Sequence, residues 1–264
     1  MKLHRVFALV QRHTFLIRRS PPRMIEMVFW PVMDLFVWGF LTVYLKKLGP
    51  AVPASITFLI GAMIFWDIFF RAQQGVTMSF IEDVWAKNLL NLFVSPLGLD
   101  EFLSATYLIG LIKVTVIVLV LSGLAFVFYD FNLYGLGLSL IPLFANLLIM
   151  GWAFGMFTTA LIVRFGQSVE ALAWGIPFLV QPVSAVFYPV SALPAWLQPI
   201  ALCFPSTHSF EGMRQVLEGK GFPMHHMLWG FGLNILFLLG AGWFFSLMFK
   251  VARERGYLAK FGTQ

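Results

Sequence analysis

The sequence predicts an all-α membrane protein with six transmembrane helices, and three observations carry that expectation. First, of 264 residues 59% are hydrophobic and 11% charged, with a mean hydropathy of +0.84. Soluble domains carry about 25% charged residues, and a globule of this length has too little interior to hide so much apolar surface. Second, six apolar runs, near 27–45, 54–72, 102–128, 136–163, 170–190 and 227–249, approach the about 20 residues a helix needs to cross hydrocarbon. Third, threading those runs puts thirteen of the eighteen Lys and Arg on the side of the N-terminus. Lys46, Lys47, Arg214 and Lys220 lie opposite, and Lys113 falls inside a span. That asymmetry makes both termini cytoplasmic. The net charge of +6 would suggest nucleic acid in a soluble protein; here it marks loops facing anionic lipid, and no nucleic-acid partner is expected.

The elements follow in chain order as one transmembrane domain over 1–264. Residues 1–23 form a cytoplasmic amphipathic helix, with Val6, Leu9, Val10, Phe15 and Leu16 set among basic residues. Arg12, Arg18, Arg19 and Arg23 interrupt the apolar core that a cleavable signal peptide would need. Residues 24–190 hold spans one to five. Between spans two and three, on the cytoplasmic side, 77–94 places Phe80, Val84 and Leu90 at helical spacing among acidic and amide groups. Segment 191–222 is external. Pro189, Pro194, Pro199 and Pro205 cut its surroundings into short helices that dip in and return. Irregular backbone at that depth is tolerated only when buried in protein or lining a cavity. Span six, 227–249, leads into a cytoplasmic tail, 250–264.

Little in the chain points to chemistry of its own. Gly219-Lys220-Gly221 lacks the upstream glycine and the Ser/Thr of a Walker A loop, so ATP hydrolysis by that route is not expected here. His225 and His226 are adjacent and point to different helix faces, a poor pair of metal ligands. Ser206-Thr207-His208 reads as a helix N-cap region, and the single Cys203 excludes an intrachain disulfide. Asp34, Asp67 and Lys113 lie within apolar runs, where each lone charge costs ~2.5–3.5 kcal/mol on insertion scales. Pairing of Lys113 with Asp34 or with Asp67, fixing helix packing, is one reading; a proton or substrate path is a second, and snorkelling of the side chain towards the interface is a third. Gly151-x-x-x-Gly155, and Gly240 with Gly242, allow close helix approach within the chain or at a dimer seam. Phe29, Trp30, Phe36, Trp38 and Phe40 crowd span one, and Phe65, Trp66, Phe69 and Phe70 crowd span two, as lipid-facing belts or as stacking walls of a path.

Three stretches then carry a resemblance. Ile81-Glu82-Asp83-Val84-Trp85-Ala86-Lys87-Asn88-Leu89 runs on to Ser95-Pro96-Leu97 and an acidic start of span three, Asp100-Glu101-Phe102. Pro182-Val183-Ser184-Ala185-Val186-Phe187-Tyr188-Pro189-Val190 leads to Leu193-Pro194-Ala195-Trp196-Leu197-Gln198-Pro199-Ile200, and Pro205-Ser206-Thr207-His208 to Glu211-Gly212-Met213-Arg214. With the span order, these stretches resemble the permeases of the ABC-2 family across nearly the whole chain.

The resemblance implies a homodimer, or a pair of similar permeases, in a bacterial inner membrane. Each copy would dock a separate ABC ATPase subunit that holds ATP and Mg²⁺, with no cofactor in this chain. It implies a cytoplasmic coupling helix between spans two and three, with Glu82, Asp83, Trp85, Lys87 and Asn88 as transmission residues and Trp85 as the anchor buried in the partner. It further implies external re-entrant helices between spans five and six, where Tyr188, Pro189, Pro194 and Trp196 would shape an outer gate. The cargo expected is an amphiphilic small molecule or lipid-like compound moved outward. A polysaccharide or lipid-linked glycan is the rival cargo. A proton-coupled carrier or a membrane scaffold is the alternative of another class, and no repeat relates 27–128 to 136–249.

Overall fold

The computed structural model describes residues 2–48, 58–86, 88 and 97–255. Among them the chain is predominantly helical, with no strand. Helix α1, Leu3–Arg18, buries Val6, Leu9 and His13 and leaves Leu3, Phe7, Phe15 and Leu16 outward. Only Arg19 and Ser20 separate it from α2, Pro21–Lys47. Pro21 and Pro22 open α2 at the positions whose N–H groups have no helical acceptor. Helix α3 spans Phe58–Trp85, α4 Leu99–Tyr129 and α5 Leu140–Phe165. Asp130, in the left-handed region at φ 54°, closes α4. A short 3-10 turn, Leu133–Ser139, then enters α5 across a kink at Gly137, whose φ of 56° suits glycine. The remaining helices are α6, Leu172–Val180; α7, Gln198–Leu202; α8, Pro205–Leu217; and α9, Met224–Glu254.

Four helical stretches are long and apolar enough to cross a membrane: Pro21–Lys47, Leu99–Tyr129, Leu133–Phe165 and Met224–Glu254. These fall on the first, third, fourth and sixth expected spans. The other two depart from expectation. The second lies in α3, which is long enough but too polar, because Asp67, Arg71, Gln73 and Gln74 sit in its middle. It also runs on without a break through 77–85, so the stretch expected as a separate helix is the end of α3 as far as Trp85. No proline interrupts it there, and the glycine nearest that stretch, Gly75, packs against Gly110 of α4. The fifth is short: α6 gives way at Gln181 to a 3-10 turn, Pro182–Ser184, because Pro182 cannot continue the helical hydrogen bonding.

Helix α3 is the axis of the bundle. Ile60, Ile64, Phe65, Phe69 and Phe80 are all at or below 1% exposure. Glycines set its neighbours close. A Cβ on Gly75 would lie 2.6 Å from Gly110 Cα; one on Gly151 would lie 2.5 Å from Ala72 Cβ, and one on Gly155 2.7 Å from Val76 Cβ. The Gly151/Gly155 pair therefore serves packing of α5 on α3 within the chain. By contrast nothing approaches a Cβ on Gly240, and Gly242 meets only the tip of Met156.

Candidate functional site

Two ends of the bundle concentrate the polar side chains. At the Arg-rich end, α1 lies along the start of α4. The Lys2 backbone N–H donates to Glu101 Oε1 at 2.6 Å and Arg5 reaches Glu101 Oε2 at 3.3 Å, while Thr14 and Arg18 flank the same groove as Ile109 and Lys113. Glu101 also accepts from the Gly98 N–H at 2.9 Å, so one carboxylate caps α4 and anchors α1. The end of α3 is tied just as firmly. Asp83, 1% exposed, takes a forked pair from Arg12 at 2.5 and 3.3 Å, and Glu82 lies 3.5 Å from Arg23. A bidentate guanidinium fixes direction as well as charge. The Asn88 amide approaches Asp83 Oδ1 at 3.4 Å. Trp85 instead projects outward, 51% exposed, its indole N–H donating to Glu170 at 3.3 Å. Buried beside Arg12 and Asp83 is His13. Desolvation lowers its pKa to about 4, opposed by the Asp83 carboxylate and reinforced by Arg12, Lys113 and Arg23.

At the opposite end, a brace holds the irregular segment after α6. Arg214 of α8 donates to the carbonyls of Ala185 at 2.6 Å and Val186 at 3.1 Å, and pairs with Glu211 at 2.9 Å. Glu211 in turn accepts from the Val190 N–H at 2.8 Å, and the guanidinium lies over the Phe58 ring at 4.2 Å. Ala185 has φ 51°, an unusual conformation for alanine, at the point where Arg214 grips the backbone. Behind this brace, Asn146 of α5 donates to Pro205 O at 2.9 Å and Ser209 Oγ at 2.6 Å, and Asn234 of α9 donates to Asn146. These links join α5, α8 and α9 through polar atoms that would otherwise be buried unpaired.

Residues 45–249 match a family model described as ABC-2 family transporter protein. The chain belongs to the ABC-2 transporter family. Among curated proteins none matches the sequence. Members of the family are membrane-spanning subunits whose ATPase sits in a partner, and this ABC-2 permease is accordingly a multi-pass membrane protein with an ABC ATPase as its general class of partner.

The expected coupling residues of this permease divide by exposure. Glu82 and Asp83 are committed to Arg23 and Arg12, Trp85 stands free at the surface apart from Glu170, Asn88 folds back on Asp83, and Lys87 lies outside the described residues. The expected gate residues sit on the braced segment. The Tyr188 hydroxyl donates to Pro182 O at 2.5 Å, Pro189 and Pro194 are exposed, and Trp196 is 70% exposed.

Other expectations need correcting. Lys113 pairs with neither Asp34 nor Asp67. The Asp67 carboxylate is held at 2.7 Å by Arg71, one turn along the same helix and nearer than any side chain on α4. Arg71 is thus a half-buried partner within α3; the Asp67-x-x-x-Arg71 spacing is the signal that points to it. Asp34 sits on the exposed face of α2. Ser206 does not cap α8, since Pro205 already occupies the first helical position; its hydroxyl lies 2.7 Å from that of Ser184. His208 bonds Leu202 O at 3.0 Å and faces His226 at 3.4 Å, whereas His225 turns away to Trp229. No cluster of three or more potential metal ligands occurs among the described residues. Sequence reasoning passed over Gln73 and Gln74, whose amides both donate to Ala173 O, at 3.2 and 2.6 Å, and secure the start of α6.

Proposed function

We propose that this chain is the permease subunit of an ABC exporter in a bacterial inner membrane, built as a six-span domain over 1–264. The α3 helix and the α6 segment would serve as the second and fifth spans, and both termini would be cytoplasmic. Two copies form the path, and ATP bound with Mg²⁺ in a separate subunit drives cargo outward. The observation that carries the reading is the end of α3. It presents an exposed Trp85 while its two acids are tied to α1 and α2 through Arg12 and Arg23. A rigid helix end with one aromatic anchor can seat in a cleft of a soluble ATPase, and its ion pairs carry the resulting shift into the interfacial helix and first span.

The experiment is co-purification of the permease with its ATPase, followed by vanadate-sensitive ATPase assay, for the wild type and Trp85→Ala. A central aromatic anchor is worth about 2 kcal/mol or more, so association should weaken by about 30-fold with the permease still folded. Unchanged association and unchanged substrate-stimulated ATPase activity would reject the docking assignment.

An amphiphilic small molecule or lipid-like compound is the cargo this reading favours over a glycan. The aromatic side chains Phe65, Trp66 and Phe69, which could have stacked on sugar rings, are core residues at 0%, 8% and 0% exposure. Tyr188, Pro189, Pro194 and Trp196 would shape the outer mouth. Stimulation of reconstituted ATPase activity by drug-like amphiphiles, and not by lipid-linked oligosaccharides, is the expected discrimination.

A further inference from the structure

Among the described residues Lys113 makes no ion pair and no hydrogen bond, although the Glu82 carboxylate lies within electrostatic reach of it. Asp67 is taken by Arg71, Glu82 by Arg23 and Asp83 by Arg12. Glu82 and the other acids of this end of α3 are thus each paired with an arginine, and the ammonium of α4 is a surplus charge. It opens onto a groove of about 150 Å³ between α1, α2 and α4. Arg18, in the last turn of α1, is the second cation on the groove wall, and no acid lines it. The rest of the wall is apolar apart from Thr14, chiefly Met24, Met27 and Ile112. The Thr14 hydroxyl is spent on Val10 O at 2.8 Å, so the two cations are the polar groups left to bind a ligand.

We propose that this groove binds one acidic phospholipid, from the leaflet that faces the Arg-rich end. A phosphodiester monoanion between Arg18 and Lys113 supplies the counter-charge that the fold leaves out. Basic pockets between helices near the membrane surface hold anionic headgroups in this way, whereas a lone ammonium facing hydrocarbon is costly. The volume equals about five water molecules, enough for a phosphate and its first carbons but not for acyl chains. The chains leave through the open side, where Met24 and Ile112 are 46% and 50% exposed and continue the apolar wall. A free phosphate or a soluble anion would gain nothing from those walls; a lipid fills both halves. The groove is lined by α1, α2 and α4 and includes neither Trp85 nor any residue of the braced segment, so its occupant is distinct from a partner seated on Trp85.

The test is native mass spectrometry of the full-length purified chain, with phosphatidylglycerol, phosphatidylcholine or inorganic phosphate added. The wild type should retain one phosphatidylglycerol in preference to phosphatidylcholine and should keep it in the presence of inorganic phosphate. Lys113→Gln and Arg18→Gln should each lower retention about fivefold, the effect of one charge near the surface, and Lys113→Arg should restore it. Arg18 is exposed at the end of α1, so its variant reads the site even if Lys113→Gln does not fold. Equal retention of the two lipids, equal retention by wild type and Arg18→Gln, or displacement by inorganic phosphate would each overturn the proposal.

Discussion

His13 shows how a single buried side chain makes the docking of a helix depend on pH. It is 3% exposed, and burial lowers its pKa to about 4 from about 6.5 in an unfolded chain. Above pH ~6.5 both states are neutral and the packing of α1 is at full strength. As pH falls from there towards 4, the unfolded chain takes up a proton that the folded chain refuses, so stability is lost across that window and levels off below it. At pH 5 the loss is about 2 kcal/mol. The thermal midpoint followed by tryptophan fluorescence should therefore fall between neutral pH and pH 5, and His13→Gln should flatten that part of the profile. A wild-type midpoint that does not fall over this range would show that His13 titrates normally. Nothing in the sequence advertised this histidine. Its burial arises where α1 meets α3 and α4, a contact that residue spacing within one helix does not reveal.

Among the helices, α3 has the most demanding neighbours. The close approach of Gly155 to Val76 and to Gln73 O leaves no room for a side chain, so Gly155→Leu should cost at least about 1–3 kcal/mol and yield little monodisperse protein. Gly240→Leu faces open space and should purify as wild type; equal yields for the two variants would remove the packing argument. The existence of most helices was legible, since their apolar runs match the lengths found. The Gly151-x-x-x-Gly155 motif was legible too, but not its partner, because small residues signal a close approach without naming what approaches. What escaped was the character of α3 and α6. Buried polar groups such as Asp67 and Gln73 are acceptable there because Arg71 and Thr77, one turn along the same helix, and Ala173 O of α6 pair with them, and only the last of these pairings forms across the fold. The Arg214 brace was hidden for the same reason: Glu211 and Arg214 are visible as an i, i+3 pair, but their grip on Ala185, Val186 and Val190 is not.

For the whole molecule, topology is the property most directly open to measurement. Cys203 is exposed and is the only cysteine in the chain, at the end of α7 near the braced segment. A membrane-impermeant maleimide applied to intact cells should label it, whereas a cysteine at Lys2 in a Cys203→Ser background should react only after permeabilisation. The reverse pattern would invert the proposed orientation. Positive-side counting predicts that orientation from sequence, and the predicted imbalance of basic residues does not rest on the half-buried Arg71. The polar middle of α3 has a consequence for biogenesis. A helix carrying Asp67, Arg71, Gln73 and Gln74 partitions poorly into lipid by itself. As the ribosome delivers the chain, α3 would wait at the insertion machinery until α4 and α5 arrive to shield it. Commitment to the bilayer and formation of the bundle would then be a single event, and a variant defective in α5 packing would appear first as a protein the cell fails to insert.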